Sequence, residues 1–138
     1  MAKKLDTSFN ALKAGYTALW NGCEMTRATA TVKQAKAIVA NKNRYKNIED
    51  ATGVPWFVIG IIHTREAGSP PNFKAVLHNG QLFVGTKKTT TIVPIGKGPF
   101  ATFEDAAKDA LAAYKGSTWS PEYVAYCLEK YNGFGYRS

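Results

Sequence analysis

Residues 55–66, Pro-Trp-Phe-Val-Ile-Gly-Ile-Ile-His-Thr-Arg-Glu, constrain this chain more than any other segment. Pro55 suits the first position of a helix, where a missing N–H costs nothing. Trp56 through Ile62 are apolar on every side at helical spacing, which predicts a helix enclosed by protein. The uninterrupted apolar stretch, residues 54–62, is far too short to span a bilayer, so a folded domain has to cover it. The helix continues through His63 and Arg65 to Glu66 and is stopped by Gly68 and the Pro70-Pro71 pair. A carboxylate thus ends the most hydrophobic segment. In a last turn it meets the negative end of the helix dipole, and burial beside apolar neighbours penalises its ionised form further, so its pKa is expected above the ordinary value.

With 138 residues, 45% hydrophobic and 12% aromatic, the chain can bury a core, and a single domain over 1–138 is expected. Phe9, Leu12, Tyr16, Leu19 and Trp20 recur at helical spacing and predict a helix over about 6–21. A second fits 30–45, with Val32, Ala35, Ile38 and Val39 inward and Lys33, Lys36 and Lys42 outward, and 47–52 makes a further turn or short helix before Gly53. Thr102 with Asp105 three residues on, and Ser120-Pro121, read as helix starts. Between them, residues 73–99 lose helical periodicity and carry many Thr, Val and Ile. They predict a small antiparallel β lobe, with strands near 75–77, 81–84 and 90–94 and a hairpin turn at Asn79-Gly80.

The net charge of +8 sits in the N-terminal third: residues 1–46 hold nine basic and two acidic side chains, against nine and eight in residues 47–138. Such a patch suits a polyanion (nucleic acid, an acidic membrane surface or a cell-wall polymer) or is simply a solvated helical face. Cys23 and Cys127 match no metal or redox spacing and read as buried free thiols. The first residues contain no long apolar run, so no secretory signal is visible.

Glycosidic cleavage needs a carboxylic acid that stays protonated near neutral pH, and Glu66 is placed to be one; the bland alternative is a surface glutamate paired with a base. Glycosidases generally use two carboxylates, yet no Asp or Glu occurs between Glu66 and Glu104, so residues 67–103 supply no second one. Glu49, Asp50, Asp105 and Asp109 are the remaining candidates nearby, or Glu66 works with a water held by neutral groups. His63, one turn before Glu66, and His78, before the Asn-Gly turn, could line a cleft, but these histidines without a matching cluster make a poor metal site, and no metal or cofactor is expected. Neither a nucleophile elbow nor a phosphate-cradling glycine loop is present. In the tail from Tyr131 to Arg137, tyrosines suit stacking on sugar rings and Asn132 suits hydroxyl or acetamido groups, while Gly133 also reads as a helix stop.

Three segments carry a resemblance: Tyr45 through Glu66, then Phe73 with Leu77-His-Asn-Gly80, then Glu129-Lys-Tyr-Asn-Gly-Phe-Gly-Tyr-Arg137. Together they resemble the phage and prophage endolysins of the lysozyme-family-protein type, over nearly the whole chain. The Tyr131-Asn-Gly segment is similar to the tyrosine motif of goose-type lysozymes and lytic transglycosylases. The resemblance implies an α+β, mainly α, lysozyme-like fold with a helical body and small β lobe, Glu66 as catalytic acid, and Tyr131 facing the Glu66 carboxylate or a substrate acetamido group.

On this basis the chain is expected to be a peptidoglycan muramidase. Glu66 would protonate the oxygen between N-acetylmuramic acid and N-acetylglucosamine, and His63, His78, Asn79, Tyr131 and Asn132 would position the substrate. The expected partner is bacterial peptidoglycan, with no nucleic acid required and no transmembrane segment, and the chain is expected to act as a monomer. It would wait in the host cytoplasm until released to the wall. The alternatives are a lytic transglycosylase using the same glutamate, a non-catalytic basic domain binding wall polymer or nucleic acid, and an inhibitor or structural protein that lost catalysis.

Overall fold

A computed structural model describes residues 3–114, 118–135 and 137. The helices are α1 (Phe9–Gly22), α2 (Ala28–Ala40), α3 (Lys42–Thr52), α4 (Trp56–Ala67), α5 (Phe103–Ala110) and α6 (Pro121–Asn132), with a short 3-10 turn at Ala112–Tyr114. Local chemistry explains most of their starts. The hydroxyls of Ser8, Thr102 and Ser120 accept from the backbone N–H of Ala11, Asp105 and Tyr123, at 3.3, 3.1 and 3.2 Å. At α4 the cap position is Pro55, which offers no acceptor, and Glu49 fills the role from α3: its Oε2 accepts from the Trp56 N–H at 2.7 Å. The helix expected over 30–45 is two helices. Asn41 divides them, its side-chain amide donating to the Ala37 carbonyl at 2.9 Å while its backbone leaves helical geometry, so 47–52 becomes the end of α3 rather than a separate turn.

The chain forms two compact units, Arg27–Gly116 and Met1–Thr26 with Ser117–Ser138. In the first, α4 packs on α2 and α3, and α3 packs on α5. Its core comprises Tyr45 and Ile48 of α3, Val58, Ile59, Ile62 and His63 of α4, Ala75, Val76 and Leu77 of the loop region between α4 and α5, and Phe103, Ala106 and Ala107 of α5. Gly60 lets α2 and α4 close: a Cβ there would lie 2.3 Å from Ile38 Cγ2 and 3.3 Å from Tyr45 Cε2. Enclosure of α4 is incomplete, since Phe57 stays 39% exposed. On α2 the expected inner face is largely open; Ile38 is buried, whereas Val32 and Val39 are 44% and 57% exposed.

In the second unit α1 packs antiparallel-paired side chains of α6 through aromatic edges, Phe9 meeting Tyr123 and Tyr126 at centroid distances of 5.1 and 5.3 Å. Tyr16 is buried, and its hydroxyl donates to Glu129, which also accepts from Arg137 Nε and Nη2 at 2.6 and 2.9 Å. Burial first and Glu129 second push the Tyr16 phenol up to about 12. Leu19 and Trp20, expected inward, are 66% and 56% exposed. Cys127 is buried, while Cys23, expected buried, is exposed; both thiols are free.

The lysozyme-like α+β expectation is corrected by the absence of any strand among the described residues: all regular structure there is helical. No strand forms near 75–77, 81–84 or 90–94. Backbone bonds do cross the Asn79-Gly80 turn, Val76 N–H to the Gln81 carbonyl at 2.8 Å and Val84 N–H to the Lys74 carbonyl at 3.0 Å. They are not reciprocated, because asparagine side chains capture the returning donors. Gln81 N–H goes to Asn79 Oδ1 at 3.1 Å, Lys74 N–H to Asn72 Oδ1 at 3.0 Å, and the Val76 carbonyl accepts from Gly80 N–H at 2.9 Å. Further along, Pro94 and Pro99 lack the N–H a ladder needs. Residues rich in β-formers therefore make a braced loop region.

Candidate active site around Glu66

Glu66 lies in the last turn of α4, one residue before the helix ends at Ala67, and Gly68 closes the helix with its N–H on the Thr64 carbonyl at 2.9 Å. Its side chain is half-buried and has no hydrogen bond or ion pair among the described residues. Burial raises its pKa above the ordinary carboxylate value, opposed only by the adjacent Arg65. The backbone of Gly80 presses against this turn. A Cβ on Gly80 would lie 2.0 Å from the Glu66 carbonyl oxygen, and its φ of +78° is itself unfavourable for a side chain. The Asn-Gly turn thus fixes the loop against the end of the helix that presents the acid.

The neighbouring carboxylates of the same unit are committed elsewhere or open to solvent. Glu49 caps α4, and Glu104 accepts from Arg44 Nε at 2.5 Å, which holds its carboxyl low despite partial burial. Asp109 Oδ2 accepts from His78 Nε2 at 2.6 Å, and Asp50 and Asp105 are exposed.

His63 is fully buried with both ring nitrogens engaged. Nε2 donates to the Asn72 carbonyl at 2.9 Å, so Nδ1 accepts the Tyr45 hydroxyl at 2.8 Å, and the ring stacks on Phe103 at 4.4 Å. Burial lowers its pKa. Its place is in the aromatic core behind Glu66, with no nitrogen left for the carboxyl or a sugar. His78 is also covered, its side chain 4% exposed and stacked on Phe100 at 5.3 Å; with Nε2 on Asp109, Nδ1 is buried and unpartnered among the described residues. Asn79 turns its amide toward the next loop, donating to the Ile92 and Val93 carbonyls at 3.2 and 3.4 Å. His78 and Asn79 are joined to Glu66 through the Gly80 contact. Tyr131 and Asn132 end α6 in the other unit, Tyr131 partly covered and Asn132 exposed, while Tyr136 of the same motif lies outside the described residues.

From sequence, Asp109 and Glu49 are only possible second carboxylates, with no structural role assigned to either. A glutamate seven residues before an uncapped Pro-Trp helix start was the available signal for the cap. Nothing in the sequence pairs Asp109 with His78, 31 residues apart. Two concavities lie elsewhere on this unit, about 540 Å³ along α2 between Ala28, Val32, Lys33 and Lys36, and about 330 Å³ beside Arg44, Phe73 and Phe103. No helix among the described residues is long and apolar enough to cross a membrane. No protein-family model, curated protein or solved structure matches this chain.

Proposed function

We propose that this chain cleaves the glycosidic bond between N-acetylmuramic acid and N-acetylglucosamine in bacterial peptidoglycan, with Glu66 as general acid. The observation that carries the reading is a half-buried, unpartnered carboxyl whose pKa is raised by burial, at the rigid junction of α4 and the Asn79-Gly80 turn. The resemblance of residues 45–66, 77–80 and 129–137 to phage endolysins supports the same choice of residue. Protonated Glu66 donates its proton to the bridging oxygen as the bond to the anomeric carbon breaks, and the departing sugar leaves as a neutral alcohol. The cation at the anomeric carbon is then captured by water, giving a reducing end, or by the sugar's own 6-hydroxyl, giving a 1,6-anhydro end, and the proton shed by that oxygen restores the Glu66 carboxylic acid. Residues 67–103 are free of acids and supply no second carboxylate to this step.

Glu66→Gln keeps the size and removes the transferable proton. In a turbidity assay on purified bacterial walls its rate is expected to fall by about 10²–10⁴ or more. Near wild-type lysis by a folded mutant would sink the mechanism, and mass spectrometry of the products separates hydrolase from transglycosylase. A second reading, a non-catalytic basic binding domain, draws on the exposed Lys33 and Lys36 beside the α2 concavity. It requires wall binding that persists with no cleavage product in any wall preparation.

A further inference from the structure

Residues 90–97, Thr-Thr-Ile-Val-Pro-Ile-Gly-Lys, hold three branched aliphatic side chains in the open: Ile92, Val93 and Ile95 are 55%, 81% and 71% exposed, and Leu82, next in sequence to the bracing Gln81, is 59% exposed. In a strand, consecutive residues would alternate between faces; here neighbours point outward together because the polar groups of the loop are drawn inward. Thr90, itself buried, accepts from Lys97 N–H at 2.9 Å, donates its hydroxyl to the Pro94 carbonyl, and accepts on its own carbonyl from Gly96 N–H at 2.9 Å. Gln81 Oε1 accepts from the Thr91 and Ile92 N–H groups at 2.9 and 3.4 Å, and its amide donates to Thr91 Oγ1 at 2.8 Å. Asn79 satisfies the carbonyls of Ile92 and Val93, and Pro94 has no N–H to satisfy.

A loop tip of this kind suits an apolar medium, where each unsatisfied backbone group carries a heavy penalty. It suits a sugar chain poorly, since the Thr91 and Ile92 N–H groups and the Thr90, Ile92, Val93 and Pro94 carbonyls, which could bind hydroxyls, are already used within the fold. Its charged neighbours along the chain have one sign. Lys87 and Lys88 precede the loop, Lys97 closes its base, and no Asp or Glu occurs from 67 to 103. An apolar tip flanked along the chain by the exposed Lys87, Lys88 and Lys97 matches the surface of a bilayer carrying anionic headgroups, and peripheral attachment gains from both terms. We propose that residues 90–97 dock this chain on a bilayer rich in anionic lipid, with Ile92, Val93 and Ile95 entering the interface and Lys87, Lys88 and Lys97 facing the phosphates. This attachment is separate from glycan cleavage and does not use Glu66.

The test is co-sedimentation of the full chain with vesicles of phosphatidylglycerol and phosphatidylcholine, against vesicles of phosphatidylcholine alone. The wild type is expected to bind the anionic vesicles more tightly and to be released by salt. Val93→Ser with Ile95→Ser, at positions that carry little packing, is expected to weaken binding by about tenfold or more with unchanged circular dichroism. Lys87→Gln and Lys88→Gln are expected to weaken it about fivefold each at low salt. Glu66→Gln is expected to bind like wild type, so loss of cleavage and loss of docking are read separately. Failure to bind anionic vesicles, or undiminished binding by the serine variant, would overturn the proposal. So would a serine variant that keeps vesicle binding and loses adhesion to isolated walls, which assigns the tip to wall polymer.

Discussion

Glu66 and His63 sit one helical turn apart on α4 and are both shifted by burial, in opposite directions. For Glu66 the protonated form is favoured. In its proposed role of general acid it is competent below its raised pKa and loses activity as pH rises through that value, so the alkaline limb of any lytic rate should lie above the ordinary carboxylate range and vanish in the residual activity of Glu66→Gln. The same shift makes the ionised carboxyl a small cost to folding: stability present below the unfolded pKa is lost as pH rises through the folded one. Glu66→Gln should therefore be slightly more stable than wild type at neutral pH, by well under the ~1.4 kcal/mol of a full unscreened unit. For His63 the neutral form is favoured. Its contribution is complete above the unfolded pKa of about 6.5 and is lost as pH falls through the depressed folded value. Thermal melts should show the midpoint falling below pH ~6.5, before carboxylates titrate. In His63→Gln that early loss should disappear, although the variant is less stable at every pH because the Tyr45 and Asn72 bonds are disturbed.

At the scale of elements, the approach of the Asn79-Gly80 turn to α4 decides how the acid is presented. Gly80→Ala places a methyl on the Glu66 carbonyl in a left-handed conformation, so either the turn or the end of α4 must shift. A loss of stability of about 1–3 kcal/mol is expected, with a fall in lytic rate larger than destabilisation alone produces at 25 °C, measured by denaturant titration beside the turbidity assay. Helix starts were legible from sequence at Thr102 and Ser120, where a local side chain makes them, whereas the Ser8 cap was passed over and its helix placed from about residue 6 instead of Phe9. The Asn41 break and the Glu49 cap were not, because an asparagine within an alanine-rich periodic run and a glutamate in another helix give no periodic signal. The loop region was misread for a related reason. Valine, isoleucine and threonine favour strands, but Asn72 and Asn79 compete for the donors that pairing requires, and no composition rule counts that competition. The raised pKa of Glu66 was legible because its position breaks a local rule; the covering of His63 and the His78–Asp109 pair depend on packing between distant segments.

Over the whole molecule the net charge of +8 is unevenly spread, and α2, which buries little beyond Ile38, displays its share of that excess openly. Lys33→Gln with Lys36→Gln is expected to lower adhesion to anionic walls several-fold at about 0.05 M salt and to match wild type above about 0.5 M, where screening is complete within a few ångströms. Binding isotherms across that range, with lysis followed in parallel, distinguish adhesion from turnover. The dipeptide Asn79-Gly80 has a wider consequence. One residue holds the carbonyls of the 90–97 loop while the next abuts the Glu66 carbonyl, so the backbone position of the glutamate is tied to contacts outside its own helix. The end of α4 is thereby open to remote adjustment: substitutions at Gln81 or Thr91, which brace the same loop, are expected to shift the Asn79-Gly80 turn and with it the backbone of Glu66, leaving the glutamate itself untouched.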